Sequence, residues 1–232
     1  MNRKLVFWTA LNSYQSPKLL RDKPPDTVHP VLTMEWTERR IGLFNRFTLP
    51  SILNQRYEDF LFIVLLDPKL KHLTKPLLPS RPDNRVIYCY RDKATLARVR
   101  EHDEITLALI DGDDMYGRDA GLLMMACQDE WMYFRRGYAL DVLSNQLFGY
   151  DTIGTGPFWA QRIDPKKIRG FDREKRHPAH PNVILRNPTK LEDGNFCVLI
   201  HDVNTSSRMG MKYVQDQVTG DQDRRLRQEY GI

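Results

Sequence analysis

The chain has 232 residues, 41% of them hydrophobic and 28% charged, with a formal net charge of +5. This composition fits a folded globular protein and argues against a disordered, collagen-like or disulfide-rich chain. No apolar run approaches the roughly 20 residues of a membrane span, and the apolar stretch after Met1-Asn-Arg-Lys is too short for a signal peptide.

Three cysteines, Cys89, Cys127 and Cys197, are widely spaced in apolar contexts. They are expected to be reduced and buried, with neither zinc-ligand spacing nor a disulfide framework, and a cytoplasmic location is the expectation. The positive balance suits phosphate-bearing ligands or an anionic surface. The basic residues are dispersed, with the densest groups at Arg39-Arg40, Arg135-Arg136, Lys166-Lys167 and Arg224-Arg225. Such pairs are usually solvated surface, so nucleic acid is a possible partner but not the favoured one.

Lys4 to Thr9 forms the first expected strand. Asn12 to Pro30, with four prolines, is expected to be a long surface loop. Glu35 to Asn54 carries an approximate helical stripe through Ile41, Phe44, Phe47, Ile52 and Leu53, and Pro50 predicts a kink or break near Thr48. Phe60 to Leu66 is a continuous apolar run, as in a strand buried on both faces. Lys69 to Pro82 is a proline-punctuated connection. Arg85 to Tyr90 is a third strand, Lys93 to His102 a helix, and Glu104 to Ile110 a fourth strand. The alternation β-α-β-α-β-α-β predicts an α/β fold with a mostly parallel, Rossmann-like sheet flanked by helices.

The second half is less regular. Arg118 to Asp129 is an expected helix. Trp131 to Arg135 and Tyr138 to Val142 are expected to form a hairpin about Arg136-Gly137. Gly149 to Gly156 is expected to be loop, Pro157 to Arg162 a strand, Phe171 to Pro181 a polar loop rich in His and Pro, and Phe196 to Ile200 a last strand ending at His201. The tail after Gly220 is charged, helical or frayed. No repeat or linker divides the chain, so a single domain is expected over residues 1–232.

The fourth strand runs straight into Asp111-Gly112-Asp113-Asp114. Three carboxylates within four residues repel one another and are costly to bury without a compensating cation or donor. Oxygen-rich clusters suit hard divalent ions, Mg2+ or Mn2+. Open α/β sheets bind ligands at the carboxyl ends of their strands, where this cluster falls. The plainer alternative is a solvated acidic turn, with Gly112 supplying backbone freedom.

Arg39-Arg-Ile-Gly-Leu-Phe-Asn-Arg46-Phe-Thr-Leu-Pro-Ser51-Ile-Leu-Asn-Gln55, then Phe60-Leu-Phe-Ile-Val-Leu-Leu-Asp67, then Leu109-Ile-Asp111-Gly-Asp113-Asp114, resembles the rhamnosyltransferase family of GT-A-type glycosyltransferases. The matching pieces lie between residues 35 and 116, and the remainder matches only loosely. The resemblance implies a GT-A-like domain with a nucleotide-sugar-binding half (1–116) and an acceptor-side half (117–232). It implies transfer of a sugar from a nucleotide-diphospho-sugar to a hydroxyl of a glycan or other acceptor, with inversion.

In that reading Asp113 and Asp114 hold Mn2+ or Mg2+ against the diphosphate, and Asp111 contacts ribose or orients the turn. The metal would stabilise charge on the departing nucleoside diphosphate. Thr9 and Ala10 after strand one, and Asp67 after strand two, would meet the nucleotide. Asp67 before Pro68 is equally an ordinary turn residue. Arg98 or Arg100 would reach the diphosphate, the alternative being an exposed helical arginine.

His201 resembles a C-terminal histidine that serves as a further metal ligand. Inversion requires a general base. Asp193, in Glu192-Asp193, resembles the base of inverting relatives, although Asp193-Gly194-Asn195 is also a strong turn signal. Asp141 is the second candidate. His177 and His180 would face the acceptor from their loop, or be surface histidines with no specific role. Phe158 and Trp159 would form a platform under a sugar ring or pack in the core. The rivals are a nucleotidyltransferase on a similar sheet, a DNA-modifying glycosyltransferase, and a non-catalytic nucleotide- or glycan-binding module.

Overall fold

The computed structural model describes residues 2–12, 33–80, 83–90, 93–152, 158–168, 186–201 and 213–232. Strand β1 (Arg3–Asn12) is central to a seven-stranded sheet. It pairs in parallel with β2 (Phe60–Leu66) on one side and with β4 (Glu104–Leu109) on the other, while β3 (Val86–Cys89) extends the parallel set beyond β2. All seven residues of β2 are buried, as its unbroken apolar run requires when both faces are covered.

The chain therefore moves outward through β1, β2 and β3, then returns to place β4 on the opposite side of β1. The β1/β4 boundary is a topological switch point, where connections leave in opposite directions and open a crevice at the strand ends.

Helix α1 (Met34–Leu43) starts at Thr33, whose hydroxyl caps the Trp36 amide. It passes into a π-helical turn at Phe44–Thr48 and then α2 (Leu49–Leu53). The expected break at Pro50 is thus a widened turn inside a continuous helical rod. Proline has no N–H and crowds the preceding turn, and a π turn relieves both problems. Ile41, Phe44 and Ile52 pack in the same core as Leu5, Phe7 and Phe62. Helix α4 (Lys93–Val99) contributes Val99 to the core that holds Val6, Trp8 and Ile63. Between β2 and β3 lie a 3₁₀ turn and the short α3 (Lys71–Thr74).

After the acidic turn the chain forms β5 (Met115–Tyr116) and α5 (Ala120–Ala126). Strand β6 (Trp131–Tyr133) joins the large sheet, antiparallel to β9 (Trp159–Ile163) and parallel to β10 (Thr189–Lys190), and β9 in turn pairs antiparallel with β4. Strands β7 (Arg136–Asp141), β8 (Gln146–Asp151), β11 (Phe196–Ile200) and β12 (Val214–Gln217) build a five-stranded sheet with β5, in the order β12-β8-β7-β11-β5. Helix α6 (Gly220–Tyr230) ends the chain.

The hairpin expected about Arg136-Gly137 does not form. Trp131–Tyr133 and Arg136–Asp141 belong to different sheets, and the real hairpin is β7/β8. Gly137 is not a turn glycine. A Cβ there would lie 2.5 Å from the Phe196 carbonyl oxygen, so glycine lets β11 approach. The turn lies at Val142 to Asn145, where Asn145 takes the left-handed conformation at φ 53°. Residues 149–151, expected to be loop, are strand.

The C-terminal helix is anchored. Leu226 and Tyr230 are buried against the small sheet, and the Tyr230 hydroxyl donates to the Gly194 carbonyl at 2.8 Å. Both sheets share one core, with Tyr116, Ala139 and Phe196 packed beside Phe7 and Phe134. The expected loops at 12–30 and 171–181, with His177 and His180, lie largely or wholly outside the described residues. Among the described residues no helix is long and apolar enough to cross a membrane.

Candidate functional site

The acidic turn sits at the β1/β4 switch point. Its backbone is closed behind by Tyr116, whose hydroxyl donates to the Leu109 carbonyl at 2.6 Å, and within by the Asp114 amide on the Asp111 carbonyl at 3.0 Å. Burial, with Asp111 and Asp114 nearby, pushes the Tyr116 phenol far up, so it stays a neutral donor. The turn lies against β1. A Cβ on Gly112 would meet Leu11 Cδ1 at 3.0 Å and Thr9 Oγ1 at 3.2 Å. Close packing, and not a positive φ, favours glycine here.

Strand β5 then runs antiparallel to β11. Gly117 N donates to Asn195 O at 2.8 Å, Tyr116 faces Phe196, and Met115 faces Cys197. This register carries the end of β11 back to the acidic residues. The Leu199 amide donates to Asp114 Oδ1 at 3.0 Å, and His201 Nε2 lies 2.8 Å from Asp113 Oδ2. Asp113, Asp114 and His201, separated by nearly ninety positions, thus meet in one buried place, with exposures of 4%, 4% and 5%.

The missing charge is supplied by a residue that sequence reasoning assigned to the surface. Arg40 Nη1 contacts Asp113 Oδ2, with the Arg40 side chain only 15% exposed. Its neighbour Arg39 points outward and is half exposed. The signal was present in the helical spacing, because Arg40 lies three residues after buried Thr37 and four before buried Phe44.

Burial opposes a charge on Asp113, but Arg40 and the His201 hydrogen bond outweigh it and hold its pKa below the usual carboxylate range. At Asp114 the balance is reversed. Burial, then the charges of Asp113 and Asp111, push its pKa well above the ordinary value, and the Leu199 amide and the Arg40 charge only partly offset them. The two neighbouring carboxyls are thus pushed in opposite directions, Asp113 down and Asp114 up.

A second missed residue is Gln55, at the end of the motif beginning in α1. Its Nε2 donates to Gly117 O at 2.8 Å and Ser51 O at 3.1 Å, and its Oε1 accepts from Gly121 N at 2.9 Å. It clamps the segment leaving the acidic turn onto α2.

Thr9 lies beside the turn, against Gly112, whereas Ala10 pairs with Leu65 of β2 and packs against the core of Trp8 and Leu65. Thr9 is fully buried, and its hydroxyl has no hydrogen-bond partner among the described residues. Asp67 takes the turn role: its carboxylate accepts from Lys69 N at 2.9 Å and caps the 3₁₀ turn. Arg98 and Arg100 lie at the end of α4 that leads into the start of β4, opposite the acidic turn. Arg98 donates to Asn84 O at 3.2 Å, and Arg100 donates to Ile168 O.

Asp193 stands before β11, with the five-residue strand between it and His201, a separation on the order of 15 Å at about 3.3 Å per residue. It accepts from Lys190 Nζ at 2.9 Å and from the Arg136 amide. Asp141 lies at the His201 end of the small sheet, paired with Ile200. It accepts from Ser144 Oγ at 2.7 Å and from the Leu143 amide, and these bonds lower its pKa despite partial burial.

Phe158 and Trp159 are core residues, 0% and 1% exposed. Phe158 stacks on Phe196 at 4.2 Å, and Trp159 packs on Trp131 at 5.8 Å. Neither presents a face to a sugar. Cys89 and Cys197 are buried thiols, and Cys127 is partly buried.

The donor chemistry fits a hard divalent ion: carboxylates and an imidazole converge, and His201 Nδ1 and Thr9 Oγ1 are buried without partners among the described residues. Among the described residues, however, no group of three or more His, Cys, Asp or Glu side chains is already spaced to hold a metal. At Asp113 the neighbouring cation is Arg40. The chain matches no protein-family model and no curated protein.

Proposed function

We propose that this protein is a glycosyltransferase that moves a sugar from a nucleotide-diphospho-sugar to a hydroxyl acceptor, with inversion and with a divalent cation. The observation that carries the reading is the convergence of Asp113, Asp114 and His201 at the switch point of the parallel strands. Folding alone gives no return for burying two adjacent carboxyl groups there. Ligand-binding sites of open α/β sheets occupy this position.

Asp113 and His201 would hold the ion, with Asp114 beside them. When bound, Mn2+ or Mg2+ would offset charge gathering on the nucleoside diphosphate as the glycosidic bond breaks. The chain's own contributions are positional. Thr9 offers an unpaired hydroxyl beside Gly112, and Gly112 lets the turn lie against β1. Tyr116 and Gln55 fix the turn from behind. Of the two carboxylates proposed as base, Asp141 shares the His201 end of the small sheet, whereas Asp193 does not.

Thermal-shift measurements with a panel of nucleotide-sugars, with and without Mn2+, test the reading. A true donor raises the melting temperature in a metal-dependent way, by mass action on the native state. Incubation with acceptors should then release nucleoside diphosphate. Release of pyrophosphate instead would identify a nucleotidyltransferase, and donor binding without turnover would identify a binding module.

A further inference from the structure

Asp113 Oδ2 carries two contacts from distant parts of the chain: Arg40 Nη1 from α1 and His201 Nε2 at 2.8 Å from the end of β11. On the two groups that touch this carboxylate, Arg40 Nε and His201 Nδ1 are buried, as is Thr9 Oγ1 beside Gly112, and none of the three has a hydrogen-bond partner among the described residues. Thr9 is 0% exposed, and its hydroxyl faces the acidic turn at Gly112. Unspent polar capacity of this kind in a buried place points to a ligand beyond the protein's own groups.

We propose that Arg40 is an internal counter-cation that competes with the divalent ion for Asp113. The guanidinium holds the buried carboxylate in the metal-free protein, and it must leave Asp113 Oδ2 before a divalent ion takes that oxygen. This inference rests on the metal-dependent reading above.

The physical basis is the occupancy of one oxygen. A carboxylate oxygen offers about two acceptor directions, and at Oδ2 both are taken, by the guanidinium and the imidazole. A divalent ion at the same carboxylate would also face the guanidinium charge across a few ångströms of buried site, where repulsion is weakly screened. Removing the Arg40 cation from Asp113 without replacing it would strand a buried charge. Arg40 and the ion are therefore alternatives, each filling the need that the other leaves. Arginine suits the first role because its guanidinium stays charged at any working pH.

The test is Mn2+ binding, read from the electron paramagnetic resonance of free Mn2+, with wild type, Arg40→Gln, Arg40→Lys and Arg40→Gln/Asp113→Asn. Arg40→Gln should bind Mn2+ at least tenfold more tightly than wild type, and Arg40→Lys, which keeps the charge, should stay within about threefold of wild type. The double variant should lose the gain. Equal or weaker binding by a folded Arg40→Gln protein overturns the competition and leaves the metal reading standing, as does a gain that survives Asp113→Asn. No Mn2+ uptake by wild type or Arg40→Gln overturns both.

Should Arg40→Gln fail to fold, the wild-type protein labelled with 15N-arginine supplies the answer by titration with Mg2+. The Arg40 guanidinium resonance should move in step with Mg2+ saturation, and a resonance that stays fixed through saturation overturns the proposal.

Discussion

Replacing Arg40 with Met should destabilise the protein strongly, and the loss should depend on Asp113. The Arg40 and Asp113 side chains are 15% and 5% exposed, so their contact is a buried ion pair. Removing one partner of such a pair costs about 3–5 kcal/mol, because the other charge stays buried without compensation. His201 remains on Asp113 Oδ2, which places the expected loss near the lower end, about 3 kcal/mol. For a chain of this length, each kcal/mol moves Tm by about 2–4 °C, so the drop should be about 6–12 °C.

Urea denaturation of wild type, Arg40→Met, Asp113→Asn and the double variant closes a thermodynamic cycle. The double variant should be more stable than Arg40→Met alone, since no buried carboxylate remains unpaired. The pH dependence has a definite sign. Asp113's depressed pKa contributes stability above its unfolded value of 3.8, and that contribution is lost as pH falls through the folded value. In Arg40→Met burial acts unopposed by the guanidinium, so this acid-limb loss should shrink. Loss under about 1 kcal/mol in Arg40→Met, or strict additivity in the double variant, would refute the reasoning.

Asp114→Asn keeps an acceptor for the Leu199 amide and removes a carboxyl whose folded pKa lies well above 3.8. The stability associated with Asp114 is complete below the unfolded value and is lost as pH rises towards the folded one. Asp114→Asn should therefore gain on wild type from about pH 4 upward in thermal melts, while losing sugar transfer; a gain that shrinks with pH would contradict this. Gln55→Leu leaves the Gly117 carbonyl and the Gly121 amide without their partner and should cost about 2–4 kcal/mol in urea titrations, and a loss under about 1 kcal/mol would count against the clamp. Gly137→Ala drives a methyl onto the Phe196 carbonyl and ring and should cost about 1–3 kcal/mol or more, whereas a neutral change would mean that β11 yields readily.

The parallel half of the fold was legible because its signals are local. The unbroken apolar run Phe60–Leu66 and the alternation of strands with helical stripes require only period and length. The second half was not, because its pairings join distant segments. Arg136-Gly137 resembles a turn, yet Gly137 is set by Phe196, about sixty residues away, and nothing near Gly137 encodes that approach.

The site divides in the same way. Asp113 and Asp114 stood out as a charge anomaly, and His201 as a polar residue ending an apolar strand. Their meeting depends on the β5/β11 register, which the sequence around either segment does not reveal. Arg40 was hidden by its pairing with Arg39 in the chain, although its place on the buried stripe of α1 marked it. Asp67 and Asp193 carried turn signals, and both carboxylates accept backbone amides at turns. The aromatic pair Phe158 and Trp159 shows how little residue type says about exposure.

The most direct test of the central claim is nucleoside diphosphate release from the nucleotide-sugar that gives the largest Mn2+-dependent thermal shift, measured with wild type and Asp113→Asn. The account predicts release by wild type with Mn2+, its loss in excess chelator, and its loss in Asp113→Asn with the protein still folded. Full release by Asp113→Asn, or by wild type in chelator, would contradict it.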